Sequence, residues 1–467
     1  MTTSKKYLDT LSICLLFLIA ACLPAALHKL SDIILPITTA LAVLLLILYI
    51  SKISNNRREG IAFSILLSYY LVGFYLASII PQISDIPHGA IRSSLALIKN
   101  IGACAALSIV TLSALRKGVK PNTWTLMFCV CVGIATLLPV QNNQVKLQYL
   151  ANSFIPIALL ITFISLKSQA PDLPSYSNTN IRPWAVLLLL SAPIGALISL
   201  VLIPPEYFLE QQSAKGYELI SGYPRPWWTN IGDNLYLRFP GTSEDPILFG
   251  YITAAVSLAL ISEKKKALAI LTILLTFISM SKGAIIWLIG SLILSVLSEK
   301  LKQKRLVYFA SSSAIIALYL QGASNLKTSA SVHLVGLLSP IQNALSSPGI
   351  ESMLGHGIGS SGNILKSYLM GDLSHDDWLS GGAESGLGLV IYQSGLLGGI
   401  TLALATFSAF KKLKSPLSKS AWAIYWINAL MQENLVNLNY LICLFVVIYA
   451  AEQAYINSKL NLKRKTL

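Results

Sequence analysis

Charge is what this sequence has least of. Only 12 % of its 467 residues are charged, against 54 % hydrophobic, and the mean hydropathy is +0.65. An ordinary soluble protein carries about a quarter charged residues. Aqueous globular folds, disordered chains and secreted disulfide scaffolds therefore fit poorly. The apolar stretches are also too many and too long for one water-bounded core. Acidic residues are the scarcer sign, 20 against 35 Lys and Arg, for a net charge of +15. Such an excess can mark a nucleic-acid binder, but its distribution argues against that here. The cations sit in short blocks between apolar runs: Lys5-Lys6, Arg57-Arg58, Arg116-Lys117, Lys264 to Lys266, Lys302 to Arg305, Lys411-Lys412 with Lys414, and Lys463 to Lys465. Basic loops held on the cytoplasmic side of a membrane have this pattern. Cysteine is scarce as well: Cys14, Cys22, Cys104, Cys129, Cys131 and Cys443 all lie within apolar runs, and no CxxC occurs. A disulfide framework and a cysteine metal site are both excluded, which leaves small buried hydrophobes.

What is present is a series of segments near the length of about 20 residues that a helix needs to cross a bilayer. They lie near 8–27, 32–51, 60–80, 93–115, 123–140, 148–166, 183–204, 246–262, 267–281, 283–298, 306–320, 386–410, 420–433 and 437–456. With the N-terminus inside, the alternation puts every basic block on the cytoplasmic side. We read the chain as an all-α polytopic membrane protein of about 12–14 transmembrane helices, with both termini cytoplasmic. No internal repeat of the inverted transporter kind is visible. Lys5-Lys6 followed by an apolar run and Ile19-Ala-Ala-Cys22 has the look of a lipoprotein signal. More spans follow at once and Asp9 interrupts the start of the run, so an uncleaved first helix is the reading.

The organisation that follows is an N-terminal bundle over 1–204, a long outer loop over 205–245 and central helices over 246–320. A second long outer loop covers 321–385, and C-terminal helices with a basic cytoplasmic tail cover 386–467. Loops this long are generally functional, and their charge is the reverse of the inner loops. The first holds Glu206, Glu210, Glu218, Asp233, Glu244 and Asp245 against Lys215, Arg225 and Arg238. The second holds Glu351, Asp372, Asp376, Asp377 and Glu384 against Lys327 and Lys366, together with His333, His356 and His375. Chemistry is therefore expected on the outer side, where ATP is absent.

Three segments could carry it. In the first, Arg225 and Arg238 flank Trp227, Trp228 and Tyr236 ahead of a helix that starts at Pro246. The arginines can hold phosphate or carboxylate in a bidentate fork, and the rings can stack on sugars. An interfacial aromatic belt is the plainer account of the tryptophans. In the second, Lys282 in Ser279-Met-Ser-Lys-Gly-Ala284 breaks the inside bias at the outer side. An ionisable residue there is a functional suspect, or a snorkelling helix end. The third runs from Gly355-His-Gly-Ile-Gly-Ser-Ser-Gly362 through Ser374-His-Asp-Asp-Trp-Leu379 to Ala383-Glu-Ser-Gly386. Its glycine run is either a phosphate-binding nest without the Gly-Lys-Ser/Thr ending of a P-loop, or a plain turn. Ser374 and Asp377 have capping-box spacing, so a helix begins around His375. That position disfavours an imidazolium and suits a general base, while the adjacent Asp376 and Asp377 pull the other way. Glu384 stands nine residues after His375, half a turn out of phase on a straight helix, so convergence requires a break at Gly381-Gly382. Glu384 opens an apolar run, where a carboxylate needs a partner, and Glu433 between the last two spans raises the same question.

His375-Asp-x-x-Leu379 followed by Glu384-Ser-Gly resembles the His-Asn-x-x-Leu…Glu-x-Gly signature of the O-antigen ligase and polymerase superfamily. Arg238-x-x-Gly241-Thr…Pro246 is similar to its Arg-x-x-Gly-Thr-Phe-x-Asn-Pro helix entry, and Ser281-Lys-Gly-Ala284 to its Ser-Arg-Gly-Ala element. The likeness covers roughly residues 205–400. It implies the all-helical architecture of lipid-dependent glycosyltransferases in a bacterial inner membrane, acting at the periplasmic face. It further implies undecaprenyl-diphosphate-linked glycans as substrates, no cofactor, no obligatory metal, and inversion at the anomeric carbon. On this pattern Arg238 and Lys282, with Arg225, would bind the donor diphosphate, His375 would activate the acceptor hydroxyl, and Glu384 would join it as a catalytic carboxylate. Lys282 and Asp376 depart from the family's arginine and asparagine. Membrane lipids are the other partners implied, with a chain-length regulator if the protein is a polymerase.

The glycine run followed by Glu-Ser-Gly resembles the superfamily's polymerases more than its ligases, which implies an enzyme that extends a lipid-linked repeat unit. The alternatives are a ligase that moves the finished glycan to lipid A–core, and a flippase or transporter of the same lipid. A transporter predicts charges lining a path through many spans, whereas here they gather on one face.

Overall fold

The computed structural model describes residues 122–140, 142–167, 246–300, 329–346, 349–368 and 384–465, with short stretches between 181 and 241 and isolated positions at 308, 313, 381 and 382. Helices dominate. In chain order they are α1 (Thr123–Leu137), α2 (Asn143–Tyr149), a π-turn over Leu150–Phe154 and α3 (Ile155–Lys167). Two hairpins follow, β1 (Leu219–Ile220) with β2 (Tyr223–Pro224) and β3 (Trp228–Ile231) with β4 (Asn234–Leu237). Next come α4 (Pro246–Ser262), α5 (Lys266–Ile278), α6 (Lys282–Lys300), α7 (Ser329–Ser346), α8 (Ile350–Leu354) and α9 (Asn363–Tyr368). The chain closes with α10 (Gly386–Lys412), α11 (Pro416–Leu430), a 3₁₀ turn over Glu433–Val436 and α12 (Leu438–Lys465).

Four segments are long and apolar enough to cross a membrane: Asn143–Ser165, Lys282–Lys300, Gly386–Lys412 and Leu438–Lys459. α1, α4 and α5 are apolar but shorter. These seven, with α11, coincide with eight of the segments expected from the sequence. The expected spans 8–27, 32–51, 60–80 and 93–115, with most of 183–204 and 306–320, lie outside the described residues. One boundary needs correction. The span expected over 420–433 is a helix from Pro416 to Leu430, started by the Ser415 cap, so Glu433 lies in the connection that follows it. The segment expected as the second long loop, 321–385, contains α7, α8 and α9.

The described residues fall into two compact units. In the first, the β3–β4 hairpin precedes the α4–α5 helix pair. α4 is buried from Leu248 to Leu260, and the pair is joined by buried hydroxyls: Ser257 donates to Thr272 at 2.8 Å and Thr276 to Thr253 at 3.0 Å. The outer side of α5 is the opposite, with Ile270, Leu271, Leu274, Phe277 and Ile278 all exposed. Polar groups inward and large apolar groups outward is the arrangement of a helix that faces lipid.

The second unit holds α1 to α3 and α6 to α12. α11 runs antiparallel to both α6 and α10. The Trp287 indole donates to the Ala421 carbonyl at 2.9 Å, Asn428 Nδ2 to the Gly283 carbonyl at 3.1 Å, and the Trp422 indole to the Thr406 carbonyl at 3.0 Å. Interhelical hydrogen bonds in a bilayer are worth about 0.6 kcal/mol each, so close packing of Trp287, Trp422 and Tyr425 carries more of the association. On α12, Glu452 accepts from the Lys414 and Ser415 N–H groups at 2.9 and 2.8 Å, tying α12 to the start of α11. The starts of α6, α10 and α12 and the end of α11 thus share one end of this unit. Lys300, Lys411, Lys412, Lys414 and Lys419 gather at the other.

Candidate functional site

At the first of these ends lies a buried carboxylate. Glu433, only 7 % exposed, accepts from the Tyr149 hydroxyl at 3.2 Å and the Asn363 N–H at 2.9 Å through Oε1, and from the Glu384 N–H at 3.3 Å through Oε2. The Tyr149 hydroxyl in turn accepts from the Ile364 N–H at 3.1 Å. Burial pushes the Glu433 carboxyl up, and the charge of Glu384 adds to it. The Asn363 and Glu384 N–H groups and the Tyr149 hydroxyl hold it back, leaving it at about 7.

Glu384 points to a histidine. His333 Nδ1 lies 2.9 Å from the Glu384 carbonyl oxygen and 3.4 Å from its carboxylate Oε2. Both are acceptors, so Nδ1 carries hydrogen and the lone pair of the neutral ring belongs to Nε2. Backbone geometry brings the two together. α7 and α10 cross so closely that a Cβ on Gly388 would sit 2.1 Å from the Gly336 carbonyl oxygen. His333 is one turn before Gly336, and Glu384 four residues before Gly388. Ser385 starts α10 by accepting from the Gly388 N–H at 3.0 Å while donating to the Leu430 carbonyl at 2.6 Å. Glu384 itself has φ +66, left-handed backbone that a residue with a Cβ adopts at a cost. Gly382 and Glu384 both have left-handed backbone just before α10, while His375 and the helix expected to begin there lie outside the described residues.

The glycine run is not a phosphate nest. α10 breaks at Gly395 (φ 73, ψ 176), which releases the carbonyls of the preceding turn. The N–H groups of His356 and Gly357 donate to the Tyr392 and Gln393 carbonyls at 2.9 and 3.1 Å. Those of Ile358 and Ser360 donate to the Ala135 and Gly357 carbonyls, and that of Gly359 to the Gln393 side chain at 3.1 Å. Five successive donors are spent inside the protein, so the run is a docking turn that seats 355–362 on the kink.

Of the residues singled out in the sequence, Lys282 is the exposed first residue of α6, whose Gly283 carbonyl is held by Asn428 in the last turn of α11. Leu430, two residues on, holds Ser385. The last turn of α11 thus brings Lys282 and Glu384 to the same end of the second unit. Arg238 belongs to the first unit, where its N–H donates to the Trp227 carbonyl at 2.7 Å and the neighbouring Phe239 packs on Phe249 of α4. Arg225 and His375 lie outside the described residues. Among the described residues no group of three or more His, Cys, Asp or Glu has the arrangement of a metal site. The sequence did not mark Tyr149 or pair His333 with Glu384; only the cost of a carboxylate in an apolar run pointed to Glu433.

No family model, no curated protein and no solved structure matches this chain.

Proposed function

We propose that this chain is a polytopic inner-membrane glycosyltransferase of the O-antigen polymerase kind. It moves a glycan from polyprenyl diphosphate onto a lipid-linked repeat unit at the periplasmic face. One observation carries the reading: Lys282 and Glu384 share one end of the second unit, and the clustered lysines of α6, α10 and α11 lie at the other. An active end away from the basic end is what a periplasmic site in a positive-inside protein requires.

The chemistry needs few parts. The acceptor oxygen attacks the anomeric carbon, the bond from that carbon to the diphosphate oxygen breaks, and the electron pair leaves with the polyprenyl diphosphate. Cations stabilise the growing charge on the diphosphate, and Arg238, Lys282 and Arg225 are the ones assigned. His375 takes the hydroxyl proton, and Glu384 is the second group assigned to the catalytic step. Direct displacement inverts the anomeric centre. Lys282 offers a point charge where an arginine would offer a fork, so charge rather than shape is its contribution.

Deletion of the gene tests the assignment. Cells without this chain should carry core capped by a single repeat, whereas long glycans stranded on the carrier lipid would identify a ligase instead. Complementation adds residue detail. Lys282→Arg should restore long chains and Lys282→Gln should lose at least about tenfold in yield, a single charge at a developing anion being worth that much. Equal yields from the two variants would remove Lys282 from diphosphate binding.

A further inference from the structure

We propose that Glu433 is a positioning residue for Glu384: its carboxylate pins the left-handed backbone of Glu384 and so fixes where the Glu384 carbonyl and carboxylate meet His333. The activity arm of this inference rests on Glu384 serving the transfer proposed above; the geometric arm stands without it.

Three observations carry the inference. First, Glu384 is one of three non-glycine residues with positive φ among the described residues, and it lies two residues past Gly382, which also has positive φ. A strained backbone persists only where its surroundings over-determine it, and such strain gathers at functional sites. Second, the group that holds this one is a carboxylate. Glu433 Oε2 takes the Glu384 N–H while Oε1 takes the Asn363 N–H and the Tyr149 hydroxyl, so one side chain ties the 381–385 turn to the starts of α9 and α10 and to α2. Each of these three partners is a donor, and an acceptor with two oxygens serves them all. Third, the tie is enclosed. Gly362 leaves so little room that a Cβ there would sit 2.8 Å from Glu433 Oε1 and 2.1 Å from the Tyr149 oxygen. The titratable groups facing Glu433 are Tyr149 from α2 and Glu384, with His333 of α7 beyond Glu384.

The decisive variant is Glu433→Gln, since an amide offers one oxygen and turns an NH₂ toward a backbone N–H. The full chain, in nanodiscs with lipid-linked repeat units as probe, should show kcat lower by about 10- to 100-fold with KM within threefold. Selective ¹⁵N labelling of the five histidines reads the geometry directly. The His333 resonances, assigned by their loss in His333→Gln, should report Nδ1–H in the wild type and shift in Glu433→Gln. Glu452→Gln is the control: another buried glutamate with two backbone N–H partners, at the opposite end, which should change neither kcat nor the His333 signal. If Glu433→Gln does not fold, Glu433→Asp, which withdraws the carboxylate by one methylene, is read the same way. A variant with wild-type kcat and an unmoved His333 resonance overturns the inference. Wild-type protein that transfers nothing overturns the proposed function instead, and the His333 shift still decides the positioning role.

Discussion

A carboxylate enclosed by a phenol, two backbone N–H groups and the charge of a second glutamate titrates far from its value in water. Glu433 is raised from 4.5 to about 7, chiefly by burial. Between those values the folded protein keeps a proton that the unfolded chain has lost. Stability therefore falls as pH rises from about 4.5 to about 7 and is level above that. At about 1.4 kcal/mol per pKa unit the loss is on the order of 3 kcal/mol. Glu263, in the α4–α5 connection, is also raised to about 7 by burial and slopes the same way, so the comparison must be between variants. Thermal unfolding at pH 4.5 and pH 7 should show a smaller pH-dependent loss in Glu433→Gln than in wild type; parallel losses would contradict the assignment. At this scale the sequence was half legible. Lys282 and Glu384 stand out because an ionisable group that opens an apolar run is costly. Glu433 and His333 could not be weighed, because Tyr149 comes from 284 residues before Glu433 and Glu384 from 51 residues after His333.

Helix crossings set the site's dimensions. The approach of α7 to α10 leaves no room for a side chain at Gly388. Gly388→Ala should cost about 1–3 kcal/mol by overpacking and separate His333 from Glu384. Gly133→Ala on α1, where a Cβ would meet nothing within 4 Å, should instead leave stability unchanged or raise it by up to about 1 kcal/mol. Melting temperatures of the two variants check this; equal shifts would mean that the crossing is loose. Helix positions here were readable from apolar runs, which is why eight expected segments recur. The kink at Gly395 was not read, although Gln393-Ser394-Gly395 interrupts the apolar run there, because a short polar step with a glycine is also compatible with a continuous helix. Nor were α7 to α9 readable. α7 is 18 residues long but too polar for a span, with Pro340 inside it, and α8 and α9 are shorter still. The glycine run read equally well as nest or turn, and only the partners of its N–H groups decide for the turn.

At the largest scale described, charge sidedness organises the second unit. Lysines close α6 and α10 and flank α11 at one end; Glu384 and Glu433 occupy the other, and the exposed Lys282 starts α6 at that same end. This asymmetry was legible from the sequence, since it follows from the order of basic blocks and apolar runs alone. That Arg238 and His375 act with this end is part of the proposal and comes from the family resemblance alone, because no local pattern ties residues on separate loops. The most direct test of the account is transfer by the purified full-length chain, reconstituted with lipid-linked repeat units in a buffer free of ATP and nucleotide sugars. The account predicts glycans lengthened on polyprenyl diphosphate by the wild type and none by His375→Ala. Extension that needs ATP or a nucleotide sugar, or an undiminished product from His375→Ala, would contradict it.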